Sequence, residues 1–564
     1  MTCITRQHVG KYTYLYESTS YVDELKRPRN TKIKIGKIDI KTGKPVYTQE
    51  YLDKLNAEGK PLPVLKPDPK EKVIQNQVSQ DQVSLTSDVL LGIVESVTFY
   101  GGYYLLSKIT EKIGLKAIVQ KVFPNVWENI LDIAYFFVAT GDPVMYCSNW
   151  ISGTMGAREK ELSSQRISEL FAQITEKERN SFYMSWLSKM QKVEHDYIAL
   201  DITSVSSYAQ LMGLIEWGYN RDKEKLEQLN ICLLLGEGTQ LPAYQTPYSG
   251  SLNDVRTLLT TLQEVFALCP EAAMKIVTDK GFFSTFNING LINKQEKKEE
   301  SPWICKFLMA VPFTNNFAKN LVASSVNVMY DTYNVIDLPE GALYGIHKVC
   351  NWPNIEQPLH TFIYLNHDKR SKDFDDLNCM VMKLFDEAEK DCHNKKYIAS
   401  FDRYLSIRKN AKAPQGYTVK IRKDVIEKEL ENNGMLVLVS NDIADPKEAI
   451  LTYRQKDYVE KGFDKLKNRL GLHRLRVKDD TRVYNKLLVS FISLIIACYM
   501  DKIMRDFGLY SHYTMKELIN IMSQLRQGSF NGKQIMQPLT KEQKRIMKTF
   551  GIPEPNRIKK ASGF

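Results

Sequence analysis

The sequence predicts a multidomain α/β protein whose sheet core is interrupted by a mainly β insertion and then resumed. Three observations predict it. Residues 196–290 read as strand, helix, strand: the apolar runs DYIALDITSVS and LNICLLLGEG, the amphipathic stretch NDVRTLLTTLQEVFALC with Asn253 or Asp254 as N-cap, and MKIVTDKGF. That order argues for an α/β sheet. Residues 301–430 are then mostly strand-like, and NGMLVLVSND (433–442) followed by a helical pattern returns to the earlier style. Ahead of all this, residues 11–50 alternate polar and apolar, whereas residues 89–190 carry a helical period.

The chain has 564 residues, a length that suggests about three or four domains. With 43% hydrophobic and 25% charged residues, it has an ordinary globular composition. The net charge of +11 permits a polyanionic partner without requiring one. Its nine cysteines include no C-x-x-C pair, so neither a disulfide framework nor a zinc cluster is expected, and the cytoplasm is the natural setting. Cys392 and His393 lack companion ligands and read as structural. The N-terminus has no basic-then-apolar signal pattern. LLVSFISLIIACYM (487–500) is shorter than the roughly 20 residues of a membrane span and reads as a buried core helix. No G-x-x-x-x-G-K-[ST] or G-x-S-x-G occurs, so neither a nucleotide cofactor nor serine hydrolysis is expected.

Taken in order, residues 1–59 form a basic, β-rich region with a hairpin expected at Lys41–Lys44. Lys26, Arg27, Arg29, Lys32, Lys34 and Lys37 lie close to tyrosines there, a mixture that suits nucleic-acid contact or a solvated sheet. Residues 60–88, rich in Pro, Lys and Gln, read as a linker. Residues 89–195 are helical, 196–295 form the first part of the α/β core, 296–432 the β insertion and 433–510 the second part of the core. In 296–432, NKQEKKEE (293–300) leads in as a loop, PWICKFLMAVPF, NVMYDTYNVIDLP, ALYGIHKVC and LHTFIYLNHD read as strands, and a helical piece falls near 373–390. Residues 511–564 complete the chain as a helical region with a basic, disordered tail, RIKKASGF.

Three acids stand out on this framework. Asp201 lies inside the apolar run that begins at Tyr197, where a charge needs a partner or a metal. Asp279 ends the run Ile276-Val277-Thr278, near the strand C-termini where α/β sheets bind ligands, although an acid there also serves as a turn or cap. Glu460 belongs to YRQKDYVEKGFDKLK (453–467). On a helix, Val459, Phe463, Leu466 and Leu470 make an apolar stripe, and Tyr453, Lys456, Glu460 and Lys467 make a second stripe beside it. Surface pairing of Glu460 with Lys456 or Asp457 with Lys461 is the alternative to a site. Carboxylates on strand, strand and helix are what a hard divalent cation takes, with water and phosphate completing the shell.

DITS (201–204), TDKGF (278–282) and Tyr453-x2-Lys456-x3-Glu460-x6-Lys467 resemble the acidic motifs of bacterial insertion-sequence transposases of the DDE type. The subgroup is the one marked by Tyr-x2-Arg-x3-Glu-x6-Lys with a β insertion before the Glu. Here Lys456 replaces the Arg, and Arg454 lies off the stripe by about 100°. Lysine binds phosphate as a point charge, without the bidentate fork. The gap from Asp279 to Glu460 is more than twice that from Asp201 to Asp279, which leaves room for the insertion. Residues 218–258, 539–552 and the segment IGKIDIKTGKPV resemble the family as well.

The resemblance implies a ribonuclease-H-like mixed-sheet core split by the β domain, with N-terminal β-rich and helical DNA-binding regions. It implies cleavage at element ends and strand transfer into target DNA, dependent on Mg²⁺ or Mn²⁺, with two ions held by Asp201, Asp279 and Glu460. Lys456 and Lys467 would contact the phosphate with Tyr453 beside them, and Lys280 and Arg454 join this DNA-binding set. Trp303 and Trp352 would stack on a flipped base, their alternative being core packing. The implied partners are double-stranded DNA, as terminal inverted repeats and target, and a second copy in a homodimeric synaptic complex associated with the nucleoid. A nuclease that cuts without joining, and an inert DNA-binding protein, are the rival readings.

Overall fold

A computed structural model describes residues 2–9, 12–22, 28–39, 44–63, 65, 97–155, 162–208, 212–220, 224–270, 274–292, 305–339, 341–472, 474–477, 479–530, 533–556 and 558–560. The chain divides into two compact units, Met1–Leu90 and Leu91–Phe564. In the first, β1 (Thr2–Val9), β2 (Tyr12–Val22), β3 (Pro28–Ile38) and β4 (Pro45–Tyr47) form an antiparallel sheet in chain order. The period-2 pattern turns Leu15 and Ile35 inward, against Tyr51 and Leu55 of the helix Gln49–Ala57. Lys32, Lys34 and Lys37 are exposed, and the Lys34 ammonium lies 3.9 Å from the Tyr14 ring centroid. β3 and β4 are antiparallel, so the chain reverses where the hairpin is expected, although residues 40–43 lie outside the described residues. So do Lys26, Arg27 and most of the linker.

The second unit is a mixed α/β body. Its central strands are β5 (Ile198–Ser206), β6 (Gln228–Gly236), β7 (Pro242–Ser249), β8 (Lys275–Thr278) and β9 (Lys306–Ala310). They lie in the order β9-β8-β5-β6-β7, with β5, β6 and β7 antiparallel and β8 and β9 parallel to β5. β6 is buried along its whole length, which is why its apolar run is nearly continuous instead of alternating. The helix Asp254–Leu268 carries the chain from β7 to β8, with Asn253 at the N-cap. Helices Gly101–Lys112, Leu115–Val122, Trp127–Thr140, Cys147–Met155, Ser164–Gln173 and Glu176–Val193 fill the predicted helical region. Thr175 and Glu178 close a capping box at the start of the last of these. These helices and the sheet share one hydrophobic core.

The expected separate β insertion is corrected. β10 (Val335–Ile336), β11 (Leu343–Cys350) and β12 (Leu359–Leu365) join the central sheet, and only residues beyond them form a small body of their own. That body contains helices His367–Lys390, Ile398–Tyr404 and Lys423–Leu430 and the hairpin of β13 (Leu405–Lys409) and β14 (Tyr417–Ile421), around Val381, Leu384, Phe401 and Leu405. The strand β15 (Met435–Ser440) then inserts between β12 and β9, completing a nine-stranded sheet. The physical reason lies in the strands themselves. LHTFIYL and MLVLVS are apolar on both faces, so each needs cover on both sides, which a covered sheet interior supplies.

A second correction concerns NVMYDTYNVIDLP. Its first residues end the helix Asn316–Met329, whose Asn315 side chain accepts from the Ala318 N–H, and only Val335–Ile336 is strand. The β-branched residues favour a strand by propensity, but Ala318, Val322, Ser325 and Met329 bury one helical stripe. Near the C-terminus, Ile558–Lys560 pairs with Lys533–Ile535, so this part of the expected disordered tail is a strand. The helix Asp480–Asp506 contains the 487–500 stretch. It is long and apolar enough to cross a membrane, yet Leu487, Phe491, Leu494, Ile495 and Met500 are packed in the core.

Candidate active site

The register of the sheet sets two of the acids side by side. β5 and β8 run parallel with Leu200 opposite Thr278, so Asp201, next on β5, stands beside Asp279, the first residue past β8. Adjacent strands are about 4.8 Å apart, so the two residues stand side by side where β8 ends against the middle of β5. Asp201 is 5% exposed, and its Oδ1 accepts the Ile202 N–H at 2.8 Å. Asp279 is half-buried at the C-terminal end of β8, where Oδ1 accepts the Lys280 N–H at 2.8 Å and caps the turn Lys280–Phe282. The same oxygen accepts the Tyr453 hydroxyl at 3.0 Å.

The third acid arrives on a helix. The segment 446–469 is an almost continuous helical run: Pro446–Gln455, one junction residue at Lys456, Asp457–Asp464, and a π-helical turn Lys465–Arg469. Val459, Phe463, Leu466 and Leu470 are all buried, as the apolar stripe predicts. A Cβ on Gly462 would stand 3.2 Å from Leu233 and Leu235 of β6, so glycine lets the helix seat close on that strand. Leu233 is the cross-strand partner of Asp201, which places Asp201 on the face this helix covers. Gly141 and Gly471, both at positive φ, allow the π-turn end to press on the end of helix Trp127–Thr140, and Arg469 donates to the Val138 carbonyl at 3.1 Å.

The electrostatics turn on Lys456. It is 5% exposed, and its Nζ lies 3.3 Å from Glu460 Oε1, whereas the Glu460 side chain is 60% exposed. Burial works against the charge on Asp279, but the Lys456 ammonium, the Lys280 N–H, the Tyr453 hydroxyl and the Lys280 charge together hold its carboxyl below the usual range. Burial, and then the Asp279 carboxylate, pushes the Tyr453 hydroxyl well above its ordinary value, so it stays a donor. The Lys456 Nζ is 5.6 Å from the Tyr453 ring centroid.

The other expected site residues are placed as follows. Lys280 is exposed beside Asp279, and Arg454 is half-buried in the last turn of its helix. Lys467 is buried in the π-turn. Trp303 lies outside the described residues. Trp352 is corrected as a stacking platform. It is 3% exposed, its indole N–H donates to Thr361 Oγ1 at 2.9 Å, and Phe317 packs on it at 4.7 Å, so a base has no access to its faces. Trp352→Phe is expected to cost about 1–2 kcal/mol of stability with DNA affinity unchanged, checked by denaturant melts beside gel shifts. The Tyr453–Asp279 bond escaped sequence reasoning. Its only signal was that Tyr453 shares the stripe of Glu460.

Two buried or half-buried carboxylates held side by side are the donor type a hard divalent ion takes, so the pair fits such a group chemically. The third carboxylate is engaged by Lys456, and among the described residues no three Asp, Glu, His or Cys side chains form a metal-holding group. Fold and site thus define a mixed α/β protein with one aspartate within β5 beside a second at the end of the parallel strand β8, faced by a basic-acidic helix. No protein-family model matches the chain, and no curated protein matches it significantly. Among solved structures, a piggyBac transposase synaptic complex with hairpin DNA matches with a TM-score of 0.33 and 11% identity, over 78% of this chain and 77% of that one. A likeness of that size settles nothing about activity.

Proposed function

We propose that the chain is a DDE transposase of an insertion sequence, cutting DNA at the element's ends and transferring the strand into a target. The observation that carries the reading is the placement of Asp201 on β5, on the face covered by the helix of Glu460, beside Asp279 just past the end of β8, which Tyr453 of the same helical run touches. A mixed sheet bearing two acids, with a third on a helix, supports a ribonuclease-H-like core. Asp201, Asp279 and Glu460 would hold Mg²⁺ or Mn²⁺, two ions in the full reading. When bound, such ions lower the pKa of a bound water or 3′-hydroxyl and stabilise the leaving oxygen. The chain's own residues do the rest. The Ile202 and Lys280 N–H groups orient the two aspartates, and the Tyr453 hydroxyl fixes Asp279 in its charged form. Exposed Lys280, and Lys456 once it turns outward, would meet the phosphodiester.

The net charge of +11 and the Lys–Tyr surface of the first unit favour double-stranded DNA as partner. A homodimer follows from the need to synapse two ends. Deleting residues 1–88 should weaken end binding more than cleavage of tethered DNA, and an unchanged gel-shift affinity would move end recognition elsewhere. Lys456→Arg keeps the charge and restores the fork, so cleavage should be preserved or raised. A large loss in a single-turnover assay would remove the phosphate role from this position.

The test uses a labelled fragment carrying the element's end, with Mg²⁺ or EDTA, beside Glu460→Gln. Cleavage that needs both metal and Glu460, followed by joining to a plasmid, supports the proposal. Cleavage without joining leaves a nuclease of the same core. Binding without cleavage supports an inert DNA-binding protein, the reading favoured by one observation, the pairing of Glu460 with Lys456.

A further inference from the structure

We infer that Lys456 is a built-in counter-cation of the proposed site: its ammonium pairs with Glu460 and faces Asp279 in the metal-free protein, and must leave before a divalent ion can be held by all three acids. The inference rests on reading Asp201, Asp279 and Glu460 as one site. Its first ground is an asymmetry of burial. A phosphate clamp waiting for DNA would keep its ammonium in water. Lys456 is instead 5% exposed, while its partner Glu460 has a side chain that is 60% exposed. A buried ammonium is tolerated only when paired, and the pairing here is Glu460 Oε1 at 3.3 Å together with the field of Asp279.

The second ground is connection. Tyr453 donates its hydroxyl to Asp279 at 3.0 Å and presents its ring 5.6 Å from the Lys456 Nζ. One lysine therefore touches or faces the strand acid, the helix acid and the tyrosine between them. A divalent ion among the same carboxylates would lie within a few ångströms of the ammonium, where the two positive charges repel each other. Ion and ammonium therefore compete.

The third ground is mobility of the right kind. Lys456 is the single junction residue between helices Pro446–Gln455 and Asp457–Asp464, on a four-carbon stem that can swing without unwinding either helix. Once displaced, the ammonium is free for a DNA phosphate, so metal and DNA should each favour the other's binding.

The experiment measures Mn²⁺ binding to the full-length protein without DNA, by titration calorimetry. Lys456→Met is expected to tighten Mn²⁺ at least tenfold, and Lys456→Arg, which keeps the charge, to stay within about threefold of wild type. Circular dichroism checks that both variants fold. In wild-type protein, which needs no variant to fold, amine acylation read by mass spectrometry should rise several-fold at Lys456 on adding Mn²⁺, and should not rise in Asp201→Asn. Equal or weaker Mn²⁺ binding by a folded Lys456→Met, or Lys456 labelling indifferent to Mn²⁺, overturns the inference while Asp201→Asn still abolishes binding. Mn²⁺ affinity that ignores both Asp201→Asn and Asp279→Asn overturns the metal-site reading itself, and the inference with it.

Discussion

Asp201→Asn and Asp279→Asn should each reduce metal-dependent end cleavage by at least about 10³-fold while leaving end binding within a fewfold of wild type. Each swap keeps volume and an acceptor oxygen. Asn at 201 still receives the Ile202 N–H, and Asn at 279 still receives the Lys280 N–H and the Tyr453 hydroxyl. What is lost is charge, which is what a hard cation needs. The pH dependence has a definite sign for Asp279. Its folded pKa is depressed, so its contribution to stability is fully present at neutral pH and disappears only as pH falls below about 4, through the folded value. Asp279→Asn should therefore lower stability modestly at pH 7 and flatten the acid limb. Parallel cleavage assays, gel shifts and urea melts check this. An Asp201→Asn protein that cleaves normally would remove the site assignment.

Glu237→Gln should stabilise the protein at neutral pH. Glu237 follows β6, is 3% exposed, and its Oε1 has no hydrogen-bond partner among the described residues. Burial first, then the charges of Glu194 and Asp196, pushes its carboxyl up to about 9. It is thus neutral in the folded protein at pH 7 and ionised in the unfolded chain. Between about 4.3 and the folded value, the folded state binds the extra proton, so stability falls as pH rises, by up to about 1.4 kcal/mol per unit. At pH 7 the accumulated cost is about 4 kcal/mol, and a glutamine removes it. Melts of both proteins from pH 5 to 9 should nearly coincide at the acid end and diverge towards neutrality. Parallel curves would mean that Glu237 is already relieved by another group. The carboxyl lines a cavity of about 480 Å³ with Asp196, Tyr197 and Lys275, at the end of the sheet opposite Asp201.

Much of the candidate site's local setting was legible because the sequence carries its physics locally. Asp201 sits inside an apolar run, and a charge flanked by Leu200 and Ile202 announces an unusual environment before any fold is known. The stripe of Val459, Phe463, Leu466 and Leu470 fixed which face of the last helix is buried, because helical periodicity is a property of neighbouring residues. The strand–helix–strand order of 196–290 was legible for the same reason.

What the tertiary structure alone decided is where separated segments meet. LHTFIYL was readable as a strand, but its place in the central sheet depended on β15, which lies across the whole 366–434 segment. Trp352 was readable as an aromatic, but its burial depended on Phe317 and Thr361. Lys456 stands on the stripe with Glu460 in the sequence, yet its burial and the field it casts on Asp279 exist only because Tyr453 and the β8 end come together. By itself the sequence determined the type of most elements, the buried face of the helix of Glu460 and the candidate acids, since these depend on residues within a few positions of one another. Sheet order, the burial of Lys456 and the charge balance around the paired aspartates were decided by packing, since they depend on distances that no local pattern encodes.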